Sequence, residues 1–193
     1  MEFTIEKATV ADAPLIARGV AMALGIDIED QSESADVRRN GFCRQIFGEL
    51  AARTDSQYSY VNTLKVVTAD GQVAGILVSY DGAKLHGLRE AFYEVVENCT
   101  GKNMRGMSDE TDPQEWYLDS LAVWPEYRHQ GIGAALLKAG IAQACTAGKP
   151  AGLLVDKTNP GARKMYESIG FVRIGDRPFA GIMMDHMRVL SDL

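Results

Sequence analysis

The sequence predicts an α/β protein of the α+β kind, with a mixed central sheet of about six to seven strands covered by helices. Three observations carry that prediction. In the second half, apolar runs of strand length alternate with stretches of helical period. The first half instead holds two adjacent apolar runs parted by Asp70-Gly71, a hairpin signal. The chain has 193 residues and is 46% hydrophobic, enough to bury an ordinary core within a single domain.

Each element has its own signal. Phe3 and Ile5 alternate with Glu2, Thr4 and Glu6, which predicts a first strand over 2–8. Asp12, followed by Pro14, marks a helix start, with a capping side chain and a proline in the first turn; the helix runs over 13–24. Residues 25–36, GIDIEDQSESAD, form a polar, acidic connection. Phe42, Ile46, Phe47 and Leu50 share one stripe, which predicts a second amphipathic helix over 37–53. The hairpin strands are 60–68 and 73–80, with a turn at 69–72. Leu85, Leu88, Phe92, Val95 and Val96 fall on one face of a helix over 83–98. Residues 99–114 are polar and rich in Gly, Asp and Met, a long loop of the kind that is functional or mobile in compact domains. Residues 116–123 form a strong strand that Pro125 ends, 132–147 a helix of small residues and leucine, and 152–155 a short buried strand. Pro160 opens a helix over 160–169 that Gly170 closes, and 171–174 and 182–190 are the final strands.

Composition narrows the function classes. A net charge of −6 argues against nucleic acid or an anionic membrane as partner. Cys43, Cys99 and Cys145 are far apart, odd in number and outside any CxxC pattern, which predicts small buried thiols in a reducing compartment and no metal site. The N-terminus MEFTIEKATVADAP lacks a signal-peptide core and no apolar run is long enough to span a membrane, so a cytoplasmic protein is expected.

Two stretches carry chemistry. Residues 126–136, EYRHQGIGAAL, pass from strand to helix through Gly131 and Gly133. A helix start leaves about four backbone N–H groups without partners and carries partial positive charge, and glycine lets a ligand come close. That makes an anion site, with Arg128 as an added charge. The stretch is no Walker loop, since no lysine follows the glycines, and no dinucleotide fingerprint, since Leu136 stands where a third glycine belongs. By itself it serves equally well as a structural turn. The second stretch is NPGARKMYESIGF, residues 159–171. Asn159 caps the helix that Pro160 opens; Ala162 keeps one face of it low, and Tyr166, four residues on, projects a phenol from that face.

With LAVWPEYRHQGIG followed some thirty residues later by NPGARKMYESIGF, the sequence resembles the GNAT superfamily of N-acetyltransferases over about residues 115–175. The resemblance implies an acyl-CoA acyltransferase fold, splayed at the central parallel pair of strands. Residues 1–114 then form the acceptor-side half of a single domain spanning 1–193, and 115–175 form the acetyl-CoA-binding core. It implies that the backbone of His129, Gln130, Gly131, Ile132, Gly133 and Ala134, with Arg128 in support, holds the coenzyme A pyrophosphate. The resemblance further implies that Asn159, Ala162 and Tyr166 face the pantetheine arm, that the N–H groups of Leu121, Ala122 and Val123 polarise the thioester, and that acetyl-CoA is the cosubstrate with no metal required.

Acetyl transfer to an amine also needs an acid for the departing thiolate and a base for the amine. Tyr166 is the candidate acid; a phenol near 10 protonating a thiolate near 8.5 is uphill by roughly 2 kcal/mol. Histone-type members carry a glutamate where this chain has Tyr117, a departure that leaves the base open. Glu115 and Asp119 flank Tyr117, strand alternation puts all three on one face, and either carboxylate, or water leading to it, is the candidate base. His86 and His186 look isolated in the sequence. On the acceptor side, Asp27, Glu29, Asp30, Glu33 and Asp36, together with Asp109, Glu110 and Asp112, suit a cationic small-molecule or peptide amine, or are solvated loop charges. Tyr58, Tyr60, Tyr80, Trp116 and Trp124 are candidate pocket walls or core. A homodimer is compatible with this reading. A regulatory acyl-CoA-binding module on the same fold, without turnover, is the alternative, and an unrelated α/β fold with a structural glycine turn is the third.

Overall fold

The computed structural model describes residues 2–26 and 35–190, without the side chains of 35–40. Among these residues one mixed sheet of seven strands runs in the order β1-β2-β3-β4-β5-β7-β6. Its strands are β1 (Phe3–Lys7), β2 (Thr63–Thr68), β3 (Val73–Asp81), β4 (Trp116–Val123), β5 (Ala151–Asp156), β6 (Phe171–Phe179) and β7 (Ile182–Val189). The helices are α1 (Ala13–Ala23), α2 (Ala35–Ala52), α3 (Leu85–Thr100), α4 (Ile132–Thr146) and α5 (Pro160–Ile169). This is the mixed, helix-covered sheet that the sequence predicts. No helix among the described residues is long and apolar enough to cross a membrane.

Alternation along β3 divides the core into two layers. Ile76 and Val78 join Ile16, Val20, Phe47, Leu50 and Val95 beneath α1, α2 and α3. Leu77 joins Leu136, Leu137, Leu153 and Phe171 beneath α4 and α5. In β4 the alternation changes phase. Val78 pairs with Ser120 but Ser79 pairs with Leu118, so Asp119 is an extra residue, a bulge. Leu118 belongs to the α4–α5 layer before the bulge, whereas Leu121 and Val123 belong to it afterwards and Ala122 faces the other layer.

The only parallel contact in the described sheet is the one between β4 and β5. It lasts two registered pairs, Trp116 with Ala151 and Tyr117 with Gly152. Beyond them β4 pairs only with β3, and β5 only with β7. The two strands part, as the resemblance implies, and the gap opens toward the first turn of α4.

Several local expectations need correction. Residues 60–62 form a 3-10 turn, with Ser59 Oγ accepting from Val61 N at 3.1 Å, so β2 begins at Thr63. Asp12 does not cap α1; its carboxylate accepts from Thr9 N at 2.7 Å and Thr9 Oγ1 at 2.9 Å and pairs with Lys65 at 2.9 Å. β6 continues five residues past 174, to Phe179, because it pairs with β7 along its length. Cys145 is exposed, and Cys43 and Cys99 are only half-buried, so the thiols are not the buried hydrophobes expected.

Gly75 lets β3 and β4 approach closely beside the gap. A Cβ there would lie 2.6 Å from the Ala122 carbonyl oxygen and 3.2 Å from Val123 Cα, both backbone atoms. Gly75→Ala should cost about 1–3 kcal/mol. Urea unfolding should show a lower midpoint with an unchanged slope.

Candidate functional site

The start of α4 is built for an anion. Gly131, its N-cap, has φ of +82°, and His129 before it has φ of +60°. The chain thus turns twice through the left-handed region that favours glycine. Tyr127 N and Arg128 N donate to Trp124 O and Pro125 O, and the first helical bond runs from Ala135 N to Gly131 O. Between them, the N–H groups of His129, Gln130, Gly131, Ile132, Gly133 and Ala134 have no backbone acceptor among the described residues. Arg128 folds back, its Nε donating to the Val123 carbonyl at 3.2 Å, which ties the loop to the end of β4. Gln130 Nε2 donates to Glu126 O at 3.3 Å. A Cβ on Gly133 would sit 3.4 Å from Met165 Sδ and 3.7 Å from Val123 Cγ2, so α4, α5 and the end of β4 meet here.

Leu121, Ala122 and Val123 line the β4 edge of the gap, beyond its ladder with β5. Asn159 caps α5, its Oδ1 accepting from Ala162 N at 3.0 Å. Ala162 and Tyr166 lie half-buried on the face of α5 that packs into the α4–α5 layer. The Tyr166 ring meets Phe171 edge-on at 6.0 Å. Burial pushes its phenol up to about 12.

The two candidate carboxylates occupy opposite environments. Glu115 precedes β4 and is fully buried. His186 Nε2 lies 3.1 and 3.0 Å from its two oxygens, so that nitrogen carries the hydrogen and donates. Arg188 Nε and Nη2 donate to Oε2 at 3.0 and 2.9 Å, and Thr111 Oγ1 and Asp112 N donate to Oε1 at 2.8 and 3.1 Å. Burial alone would raise this carboxyl; the bonds from His186 and Asp112, the His186 charge and the Thr111 bond outweigh it and hold it at about 2. A carboxylate with that affinity for protons is a poor base. Asp112, Glu115 and His186 bring ligand atoms within 4.8 Å of one another, but Arg188 already bonds both carboxylates and supplies the cation. His186 is therefore not isolated, and neither is His86, whose Nε2 lies 3.2 Å from Asp109.

Asp119 occupies the bulge and remains partly accessible. Its Oδ1 accepts from Ser120 Oγ at 2.7 Å and its Oδ2 lies 3.0 Å from the Tyr80 hydroxyl. Burial, the largest influence, raises its affinity for protons, while the Ser120 bond, the Tyr80 bond when its proton is there, and the Arg89 charge pull back. Tyr117 and Asp119 do share a face, since both meet Tyr80; the rings of Tyr80 and Tyr117 are 5.7 Å apart. Glu115 leaves that company for β7.

The loop acids are bound internally. Glu110, 1% exposed, pairs with Arg89 of α3, itself 2% exposed, and accepts from Gln57 Nε2 at 3.3 Å. Asp109 also pairs with Arg89, and Asp112 with Arg177 and Arg188. Arg89 further donates to the Met107 and Ser108 carbonyls, so residues 107–112 are anchored. Asp27, Glu29, Asp30 and Glu33, and the side chain of Asp36, lie outside the described residues. Of the aromatics, Tyr58, Tyr80 and Trp124 are core, while Tyr60 and Trp116 are partly exposed.

Two parallel strands that part after Tyr117 and Gly152, and a helix start whose first N–H groups have no backbone acceptor among the described residues, are the marks of this fold. The model of the acetyltransferase (GNAT) family matches residues 47–171, more than half of the chain, and the chain belongs to that family. No curated protein matches it significantly. Among solved structures it is similar to an acetyltransferase at 33% identity and TM-score 0.75, covering 96% of this chain and 97% of that one. It shares the fold of an N-acetyltransferase from Staphylococcus aureus Mu50 at 22% identity and TM-score 0.78, over 96% and 100% of the two chains. It also shares the fold of a chain in the NatC complex bound to Gag peptide and CoA, at 16% identity and TM-score 0.52, over 98% of each.

Glu115 yields a stability test. Its folded value, about 2, lies below its ordinary 4.5, so its contribution is complete above about pH 4.5 and lost as pH falls toward 2. Glu115→Gln takes one of two carboxylates from Arg188, which keeps Asp112, and an ionised acceptor from His186, and should cost about 3 kcal/mol. Thermal melts of that variant should also fall less steeply than wild type between pH 4.5 and 2.

Proposed function

We propose that this chain transfers the acetyl group of acetyl-CoA to a primary amine of a small molecule or peptide, by direct attack of the amine on the thioester. One observation carries the reading: the gap beyond Tyr117 and Gly152 leads to a helix start whose N–H groups, from His129 to Ala134, have no backbone acceptor among the described residues. The first suits an extended pantetheine arm, the second a pyrophosphate. The N-acetyltransferase from Staphylococcus aureus, which shares the fold, supports an amine as acceptor, and the CoA in the NatC structure supports the cosubstrate.

Each proton has a path in this reading. The acceptor arrives as an ammonium ion and gives one proton to Asp119. The free amine attacks the thioester carbon while backbone N–H groups at Leu121, Ala122 or Val123 stabilise the oxyanion. The C–N bond forms, the C–S bond breaks, and the second proton lost from nitrogen balances the one that the sulfur gains. Asp119 suits the base role better than Glu115 because burial raises its affinity for protons, whereas Glu115 is committed to His186 and Arg188. Tyr166 suits the sulfur. A phenol at about 12 would protonate a thiolate near 8.5 uphill by about 5 kcal/mol. The same burial disfavours the thiolate, which narrows the gap. Its first role is therefore to donate a hydrogen bond to the departing sulfur.

Free-thiol release from acetyl-CoA against a panel of amines tests the reaction. Tight coenzyme binding with no release from any amine would favour a non-catalytic module, and no thermal stabilisation by millimolar coenzyme A would remove the coenzyme site itself. Tyr166→Phe should lower kcat about 10- to 100-fold while the Kd for coenzyme A stays within about twofold. Gly131→Asp should weaken coenzyme binding at least about tenfold, because it strains a left-handed residue and sets a like charge at the pyrophosphate site.

A further inference from the structure

The Tyr80 hydroxyl lies 3.0 Å from Asp119 Oδ2 and 3.0 Å from Glu110 Oε1. A phenol has one hydrogen to donate, so it cannot serve both carboxylates at once. Two arrangements are open. With Asp119 ionised, the Tyr80 hydrogen points to Asp119, and the phenol oxygen faces Glu110 with no hydrogen between them. With Asp119 protonated, Asp119 donates to the Tyr80 oxygen, Tyr80 donates to Glu110, and every group in the chain is satisfied. Glu110 stays ionised in both because Arg89 pairs with it and Gln57 Nε2 donates to it.

We infer that Tyr80 is a hydrogen-bond switch, turning between Asp119 and Glu110, through which the buried Glu110–Arg89 pair makes Asp119 a stronger proton acceptor. The inference rests on the proposed base role of Asp119. When the ammonium proton reaches Asp119, its carboxyl O–H turns to Tyr80 and the Tyr80 O–H turns to Glu110. When Asp119 returns the proton to solvent, Tyr80 turns back. No bond in Tyr80 or Glu110 is broken, so both are positioning residues. The polar groups around the switch come from every neighbouring element: Gln57 and Tyr58 before β2, Arg89 of α3 with Asp109 and His86 behind it, Glu110 of the loop, and Tyr117 and Ser120 of β4. Gln57 Oε1 is buried with no partner among the described residues, a further acceptor in this cluster.

A fixed hydrogen bond and a switch predict opposite signs. If Tyr80 only donated to ionised Asp119, Tyr80→Phe would raise the titration midpoint of Asp119. If it switches, Tyr80→Phe removes two bonds from the protonated arrangement and one from the ionised, so the midpoint falls. In a Glu110→Gln background the competing charge is gone; the amide oxygen turns to Arg89 and its NH2 donates to the Tyr80 oxygen, so Tyr80 donates to Asp119 alone and adding Tyr80→Phe raises the midpoint. Carboxyl-carbon NMR of aspartate-labelled protein reads this without turnover, with Asp119 assigned by the resonance lost in Asp119→Asn. The expected result is a fall of about one pH unit with Glu110 present and a rise of similar size without it. The acid limb of kcat/KM against pH should move in the same directions. A rise in both backgrounds, or no shift in either, overturns the switch. Should Glu110→Gln fail to fold, the sign of Tyr80→Phe alone decides. If the signs are as expected in a protein that acetylates no amine, the switch stands and the base role falls.

Discussion

The buried carboxylate of Glu115 closes one end of the gap between β4 and β5. It lies where Gly152 has no side chain; a Cβ there would meet Glu115 Oε2 at 2.3 Å. That is the last residue at which the two strands are registered. From the same spot Glu115 binds His186 and Arg188 of β7 and the backbone N–H of Asp112. Three chain segments, β5, β7 and the turn that leads into Glu115, meet at a single charge. Removing such a charge leaves its buried partners uncompensated, which is why a cluster of this kind holds geometry more than it adds net stability. With that end fixed, the strands diverge toward the start of α4, and the rest of the site follows from the divergence.

Four residues on, Asp119 has the same chemical group and the opposite fate. Glu115 is surrounded by donors and loses its affinity for protons; at Asp119 desolvation outweighs the bonds from Ser120, Tyr80 and Gln57 and the Arg89 charge, and that affinity rises. The bulge creates the difference. It supplies one residue more than β3 can pair, and it reverses the faces of everything after it, so that Leu121 and Val123 rather than Ala122 pack toward α4. A carboxylate whose affinity for protons burial raises and a β4 edge that β5 leaves unpaired thus adjoin the same irregularity.

Much of this was legible in the sequence, and the illegible part has a physical reason. The seven strands, the hairpin at Asp70-Gly71 and the glycine turn before α4 are local matters, fixed by periodicity and by which residues accept a positive φ. Ala162 and Tyr166 sit within a single helix and Asn159 caps it, so their mutual geometry can be counted off. The partnership of Glu115 with His186 spans 71 positions, and that of Tyr80 with Glu110 spans 30, and no spacing rule reaches across a sheet. Two signals did exist. Arg89 falls on the buried stripe of α3 between Leu85 and Phe92, a place where an arginine must find a partner, and Gly152 interrupts an apolar strand, a mark of close approach. The bulge left only a fainter mark: Asp119 and Ser120 set two polar residues side by side where period-two alternation has one.

The two-pair ladder has a mechanical consequence. A seven-stranded sheet ordinarily shares load across continuous hydrogen-bonded rungs, but here β1 through β4 and β5, β7 and β6 form two panels joined by a short seam. Side-chain packing under α4 and the Glu115 cluster carry across what the backbone does not. The panels can then breathe about the seam at lower cost than either can open internally, and amide hydrogens near it are the ones to exchange before those inside each panel. A molecule that fills the gap would act as a splint, turning two panels into one cooperative unit.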